Sequence, residues 1–429
     1  QTGAIGVALR AGALAQSLPE SQFGLASIGF RWNVSGSYMQ AVPCLFSTAA
    51  DGVSDAREFL LDAYASPGEA YSNLFLKGYQ WPFDVRKAEI GSSRIDLLVH
   101  AERESKGRRV FLDYRRNGTG FDRAALSDEA RDYLGRCGAT QRTPFARLRY
   151  MNPGAVELFA AHGIDLARMP LEIALCAQHN NGGLAADRWW ESVNIRHLFP
   201  VGEVNGSHGV GRPGGAALNA GQVGGARAAA MIAHRYAGAS VGDGEFSAAL
   251  RAVWSESEAF AARCACAVVS WREEREAIQR RMTRAGGHDR CAQELARALE
   301  EARAQYGRLL RSGCRARTPT ELVRAFENRQ LACAQVAYLS AQLFAVRSGV
   351  GSRGSARVRD AAGAVVPEDP SFRDQVQETR VLANGAVRHR WVPRRPLPES
   401  DVWFETAWRA FRSGSIFGRK GVDSVGRMV

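Results

Sequence analysis

The sequence contains no C-x-x-C, no H-x-x-x-H and no H-E-x-x-H. Its eight cysteines are scattered at 44, 137, 176, 264, 266, 291, 314 and 333, with a single C-x-C at 264–266. That spacing lacks the ligand pairs of a zinc site, so no metal centre is expected. A chain of 429 residues can build a core without a disulfide framework, and the cysteines read as reduced thiols of a cytoplasmic protein. No G-x-S-x-G is present, so a serine hydrolase lacks support. No run of eighteen apolar residues occurs, and no membrane-spanning helix is expected. Internal repeats and sustained heptads are missing too, which excludes a solenoid or a long coiled coil. The first residue is Gln, with no charged-then-apolar leader after it, so the chain is expected to begin inside a longer polypeptide.

Acidic residues are in the minority, 44 against 56 Lys and Arg, leaving a formal charge of +12. The arginines do not gather in one block. In "REEREAIQRRMTRAGGHDR" they alternate with glutamate, the pattern of a solvated helix face laced with ion pairs. Nucleic acid is therefore not an expected partner, whereas an anionic small molecule fits the charge.

What is present is an ordinary globular composition, 45% hydrophobic and 23% charged, at a length that predicts two or three domains. "AIGVALRAGALAQSL" near the start reads as a helix and the stretch 23–47 as β-rich. "DAREFLLDAYA" and "SSRIDLLVHAERE" read as helices and "RRVFLDYRR" as a strand. "SDEARDYLGRCG" begins on a capping Ser and ends at Gly, which is helix punctuation. Next come a strand "IRHLFPVGE", a glycine loop and the long small-residue helix "AALNAGQVGGARAAAMIAHRYAG". Residues 245–346 carry three or four amphipathic helices, and Asn384-Gly385 centres a hairpin.

The glycine loop carries the chemistry. "VGEVNGSHGVGRPGG" (201–215) has six glycines and, among them, Glu203, His208 and Arg212. Gly209, Gly211 and Gly214 satisfy G-x-G-x-x-G, but no acid follows about twenty residues later to hold a ribose, and Arg212-Pro213 is bulky for a pyrophosphate loop. A helix N-terminus aimed at a flat ring is the better reading. It offers free N–H groups and partial positive charge to a reduced flavin. Gly214 and Gly215 admit close approach, and Glu203, expected at the end of a strand, is placed to accept from ribityl hydroxyls.

The run "CAQHNNGGLAADRWWESVNIRHLFPVGEVNGSHGVGRPGGAALNAGQVGGARAA" resembles the closing flavin-binding segment of the fumarate reductase and succinate dehydrogenase flavoprotein family, which includes L-aspartate oxidase and adenylylsulfate reductase. "QHNNGG", "IRHLFPVGE" and "HGVGRPGGAAL" stand in the family's order and at similar spacing. "TGAIGVALRAGA", "SQFGLAS" and the helix from "TELVRAF" extend the likeness. The resemblance implies an α/β (α+β overall) architecture. Its parts would be a partial Rossmann-like FAD domain (1–45 and 176–240), an inserted capping domain (46–175), a helical domain (241–347) and a small C-terminal part (348–429). It implies FAD as cofactor, with Gly202, Glu203, Gly214, Gly215, Ala217 and Leu218 against it. It implies Arg212 as the clamp on a substrate carboxylate, and His208 and His179 as orienting groups. Arg86, with Arg94 as the other candidate, would be the proton-transferring cation of the capping domain.

Departures accompany the match. The family's histidine in Q-F-H-P is Gly24, its T-G-D-G aspartate is Gly3, and its substrate histidine falls on Gln178. The expected reaction is hydride transfer between flavin and a small carboxylate-bearing molecule, in the direction of C=C reduction, with neither fumarate nor succinate as substrate. The electron donor is not named by the sequence. The alternative is a truncated, non-catalytic member serving as a binding or assembly module, since the family's first phosphate loop is not in this chain.

Overall fold

The computed structural model describes residues 4–238, 242–396 and 399–417; Gly3, which takes the place of the family's aspartate, lies outside the described residues. The chain forms two compact units. One comprises 21–179 with 352–357, the other 1–20, 180–351 and 358–429.

The unit centred on 21–179 is built around a four-stranded sheet in the spatial order Ser21–Ser27, Leu171–Asn180, Arg109–Asp113, Cys44–Thr48. Cys44 pairs with Asp113 and Val110 with Ile173, both antiparallel. Short helices cover it, and their starts are written in the sequence. Ser66, Ser127, Thr143 and Asn152 each accept a hydrogen bond from the amide three residues on, and proline opens three of the four helices. Leu25, Met39, Leu74, Val99, Leu112 and Phe159 belong to one continuous core. Lys77 and Asp96 form an ion pair within this unit with both side chains fully buried.

The other unit combines a small antiparallel sheet with a helical bundle. Its strands lie in the order Val387–Pro393, Gln375–Val381, Ala15–Gln16, Gly183–Leu184. The Asn384-Gly385 turn closes the outer hairpin, with Gly385 at φ 80°. The helix Pro319–Arg347, capped by Thr318, is the axis of the bundle. The helix Ile5–Arg10 lies so close to it that a Cβ on Gly6 would stand 2.1 Å from the Gln330 carbonyl oxygen.

Three expected elements differ. The first helix stops at Arg10, because Gly12 turns left-handed (φ 84°) and Ala15 then pairs with Leu184 and Thr379. "DAREFLLDAYA" is irregular apart from one 3-10 turn, since Arg57 is drawn into pairing with Ser47 and Asp55 sits at φ 51°. "IRHLFPVGE" is no strand. It runs into a 3-10 turn at Gly202–Val204, and the bridge to Leu184 is made only beyond it, by Asn205. Glu203 is therefore presented by a turn.

Candidate functional site

Backbone meets backbone where the glycine-bearing segments fold together, and glycine is what permits it. A Cβ on Gly182 would lie 1.9 Å from Ser17 O, one on Gly183 2.2 Å from Val204 O, and one on Gly206 2.8 Å from Gly183 N. Three segments, around residues 16, 183 and 205, thus interleave at distances no side chain allows. Gly206 N donates to Leu184 O (2.9 Å) and Gln16 Nε2 to Gly206 O (2.9 Å), so the polar backbone stays paired.

On this base the loop presents its functional groups. Gly202 takes φ 83°, turning Glu203 outward; its Oε1 accepts from the Asn180 amide at 2.9 Å. Asn181, fully buried, staples the loop from below. Its carbonyl accepts from His208 N (3.3 Å) and its Nδ2 donates to Val210 O (3.2 Å). Asn181 is not among the site residues the sequence points to, although its signal lies in the paired asparagines of "QHNNGG".

His208 Nδ1 lies 3.2 Å from Asn205 O. A carbonyl only accepts, so Nδ1 carries the proton and Nε2 bears the lone pair. Burial, and then the neighbouring Arg212 charge, hold the imidazole below its ordinary pKa, so it is neutral at physiological pH. The Arg212 guanidinium is half-buried, with Nη1 on Pro213 O at 3.0 Å. Gly215 follows at φ 78° and caps the helix Ala216–Arg235 without any side-chain cap. Among the described residues no protein acceptor takes the Ala217 and Leu218 amides. A Cβ on Gly214 or Gly215 would meet nothing within 4 Å, and Leu218 is 79% exposed. One end of the helix is thus open, with its amides available.

Trp189 and Trp190 are packing residues. Trp189 is buried, with the guanidinium carbons of Arg227 and Arg188 at 4.9 and 5.5 Å from its ring centroid, and Trp190 lies against Gly224.

The remaining candidates belong to the other unit. Arg86 sits in a 3-10 turn, 84% exposed, and binds Asp84 through two nitrogens, Nε to Oδ1 (3.1 Å) and Nη2 to Oδ2 (2.7 Å). Arg94 donates to Glu89 O. His179 is buried at the end of the strand Leu171–Asn180, and Gln178 beside it donates to Gly24 O at 3.2 Å. Gly24 itself is pressed under an indole. A Cβ there would fall 2.3 Å from Trp81 Cε2. At the position where the resemblance implies a histidine side chain, this protein carries the edge of a tryptophan.

No family model matches the chain. Over 67 residues it is 45% identical to one of the subunits of the fumarate reductase (CoM/CoB) of Methanothermobacter marburgensis, a match covering 15% of this chain and 12% of the relative. Among solved structures, E. coli quinol fumarate reductase superposes with a TM-score of 0.62 at 17% identity, covering 93% of this chain and 63% of the other. Mycobacterium smegmatis Sdh1 gives 0.60 at 14%, covering 98% and 62%. Adenylylsulfate reductase of Archaeoglobus fulgidus gives 0.52 at 15%, covering 92% and 62%. The chain spans less than two thirds of the length of each. The mixed helix-and-strand fold expected from the motifs is the fold these neighbours share, and the fumarate reductase resemblance stands in sequence over the matched 67 residues.

Proposed function

We propose that the chain is the flavin-edge and substrate-binding portion of an FAD-dependent oxidoreductase acting on a small carboxylate-bearing molecule. One observation carries the reading, the uncapped helix start at Gly215 with its two unpaired amides, flanked by Glu203, His208 and Arg212. The residues present fit the cofactor. Bare main chain at 214–215 leaves room for a planar ring, and the amides of Ala217 and Leu218 suit the negative charge of a reduced flavin at its N1 and O2 edge. Glu203, turned outward by Gly202, suits a ribityl hydroxyl donor.

When bound, the flavin supplies hydride chemistry at its N5 atom. The residues of the chain do the rest. Arg212 holds a carboxylate, a role suited to the planar guanidinium fork. His208, neutral with its lone pair on Nε2, accepts a hydrogen bond and adds no cationic charge beside Arg212. Fumarate and succinate are disfavoured by chemistry. The resemblance sets Gly24 against a histidine and Gln178 against the substrate histidine, so the groups it implies for a second carboxylate are missing, and a monocarboxylate is the better-matched class.

Titrating the purified full chain with FAD and following quenching of flavin fluorescence tests the cofactor assignment. Saturable binding weakened roughly tenfold or more by Glu203→Gln is expected; a chain that leaves flavin emission unchanged at every concentration overturns it.

A second reading has its own observation. Val223 and Ile232 on the helix Ala216–Arg235, and Phe246, Leu250, Val253 and Trp254 on the helix Asp243–Cys266, are exposed. Apolar surface of this kind suits a binding or assembly module, and a chain that binds no flavin yet captures a partner through these residues would have that role.

A further inference from the structure

One pair of side chains outside the glycine loop is brought together by the fold. The helix Asp243–Cys266 is 24 residues long, yet only Phe260 and Cys264 on it are buried. Both enter a small cluster with Ile278, Leu309, Cys314, Ala316, Ala325 and Ala332. The chain that leaves the helix Ala292–Ser312 runs back along this helix end. A Cβ on Gly313 would lie 2.9 Å from Cys264 Sγ, Ala316 N donates to Cys264 O (3.2 Å), and Arg315 N donates to Val269 O (2.7 Å). Cys314 sits between these contacts, fully buried in the same cluster as Cys264.

We propose that Cys264 and Cys314 form a modification site, a dithiol that a peroxide oxidises to a disulfide. That bond fastens the helix Asp243–Cys266 to the turn before the helix Pro319–Arg347.

The chemistry of the two sulfurs is unequal in the required sense. The neighbouring Cys314 thiol holds Cys264 down at about 7 despite its burial, while the same neighbour and burial push Cys314 up. Burial instead raises Cys44, Cys176 and Cys333. Cys264 is therefore the nucleophile. Its sulfur attacks one peroxide oxygen; an S–O bond forms, the O–O bond breaks, and the departing oxygen leaves as water after taking a proton. The Cys314 sulfur then attacks the Cys264 sulfur, forming S–S and expelling the second oxygen as water. Two thiols and one peroxide give one disulfide and two waters, and the two electrons lost by sulfur reduce the peroxide. Access comes from local opening. A helix held by two buried side chains, with the Glu256 ion pairs to Arg10 (2.5 Å) and Arg329 (3.1 Å), detaches at far lower cost than the bundle unfolds.

The test uses the full chain carrying Cys137→Ser and Cys266→Ser, which removes the two exposed thiols and leaves the pair intact. It is treated with hydrogen peroxide at a level that fully oxidises Cys137 and Cys266 in the unsubstituted chain. Free thiols are then alkylated under denaturing conditions and the peptides are mapped by mass. The expected product is a peptide pair joining 264 to 314, two hydrogens lighter than the dithiol and released by dithiothreitol. Closing a ring of about 50 residues is expected to raise Tm by roughly 5 °C. With Cys314→Ser added, Cys264 should be trapped by dimedone as the sulfenic acid and the Tm gain should vanish. Recovery of both cysteines alkylated, or a cross-link from either to a different cysteine, overturns the proposal.

Discussion

Single residues here act mostly through what surrounds them. His389 lies between Ser340 Oγ (2.8 Å) and Thr379 Oγ1 (3.0 Å) and stacks on Phe344. Burial, aided by the Arg303 charge, lowers its pKa to about 4. The folded state thus binds this proton less readily than the unfolded chain, whose histidine titrates near 6.5. The stabilisation is complete above about pH 6.5 and is lost as pH falls toward 4, to an extent of order 3 kcal/mol at most. Thermal unfolding followed from pH 7 to pH 4.5 should show this loss, and His389→Gln should flatten the slope. His208 shifts in the same direction for the same first reason, burial. At the close-approach glycines the surroundings are rigid main chain. Gly182→Ala would drive a methyl to 1.9 Å from Ser17 O and should cost about 3 kcal/mol or more, or prevent folding outright, as read by denaturant midpoints.

At the scale of elements, neighbouring positions on one helix can carry opposite effects. In the helix Ala216–Arg235, a Cβ on Gly225 would make an ordinary contact at 3.9 Å with Val201, whereas one on Gly224 would enter the Trp190 ring at 2.8 Å. Gly225→Ala should therefore stabilise by about 0.5–1 kcal/mol through helix propensity. Gly224→Ala should destabilise, and paired denaturation curves decide both signs. The same contrast explains which elements are legible in the sequence. Helices whose first turn is capped by the side chain just before it, such as those after Ser127 and Thr318, carry their start signal locally. So does the hairpin at Asn384-Gly385. The helices after Ser66 and Thr143 carry the same signal and are not among those read from the sequence. The segment 195–203 has an apolar pattern that suggests a strand, but the chain that follows it is held against Gly183 and Leu184, about twenty residues back, and no local window contains that contact. The candidate loop is legible because its glycines, acid, histidine and arginine are contiguous. Asn181 stands in the quoted motif "QHNNGG", but its partner Val210 lies 29 residues further on, and nothing local says that the two meet.

At the scale of the molecule, large apolar side chains are exposed among the described residues. Phe246, Leu250, Val253 and Trp254 recur on the helix Asp243–Cys266 at the spacing of one face. Sedimentation velocity is expected to show association that grows with protein concentration, and Leu250→Ser with Trp254→Ser should return the chain to a single slow species without lowering Tm. Unchanged association in that variant would place the sticky surface elsewhere. Trp81 over Gly24 has a consequence of another kind. Because the indole occupies the volume that any side chain at 24 would need, a histidine cannot be installed there by one substitution. Gly24→His is expected to fold only together with a smaller residue at 81, so the two positions must change as a pair.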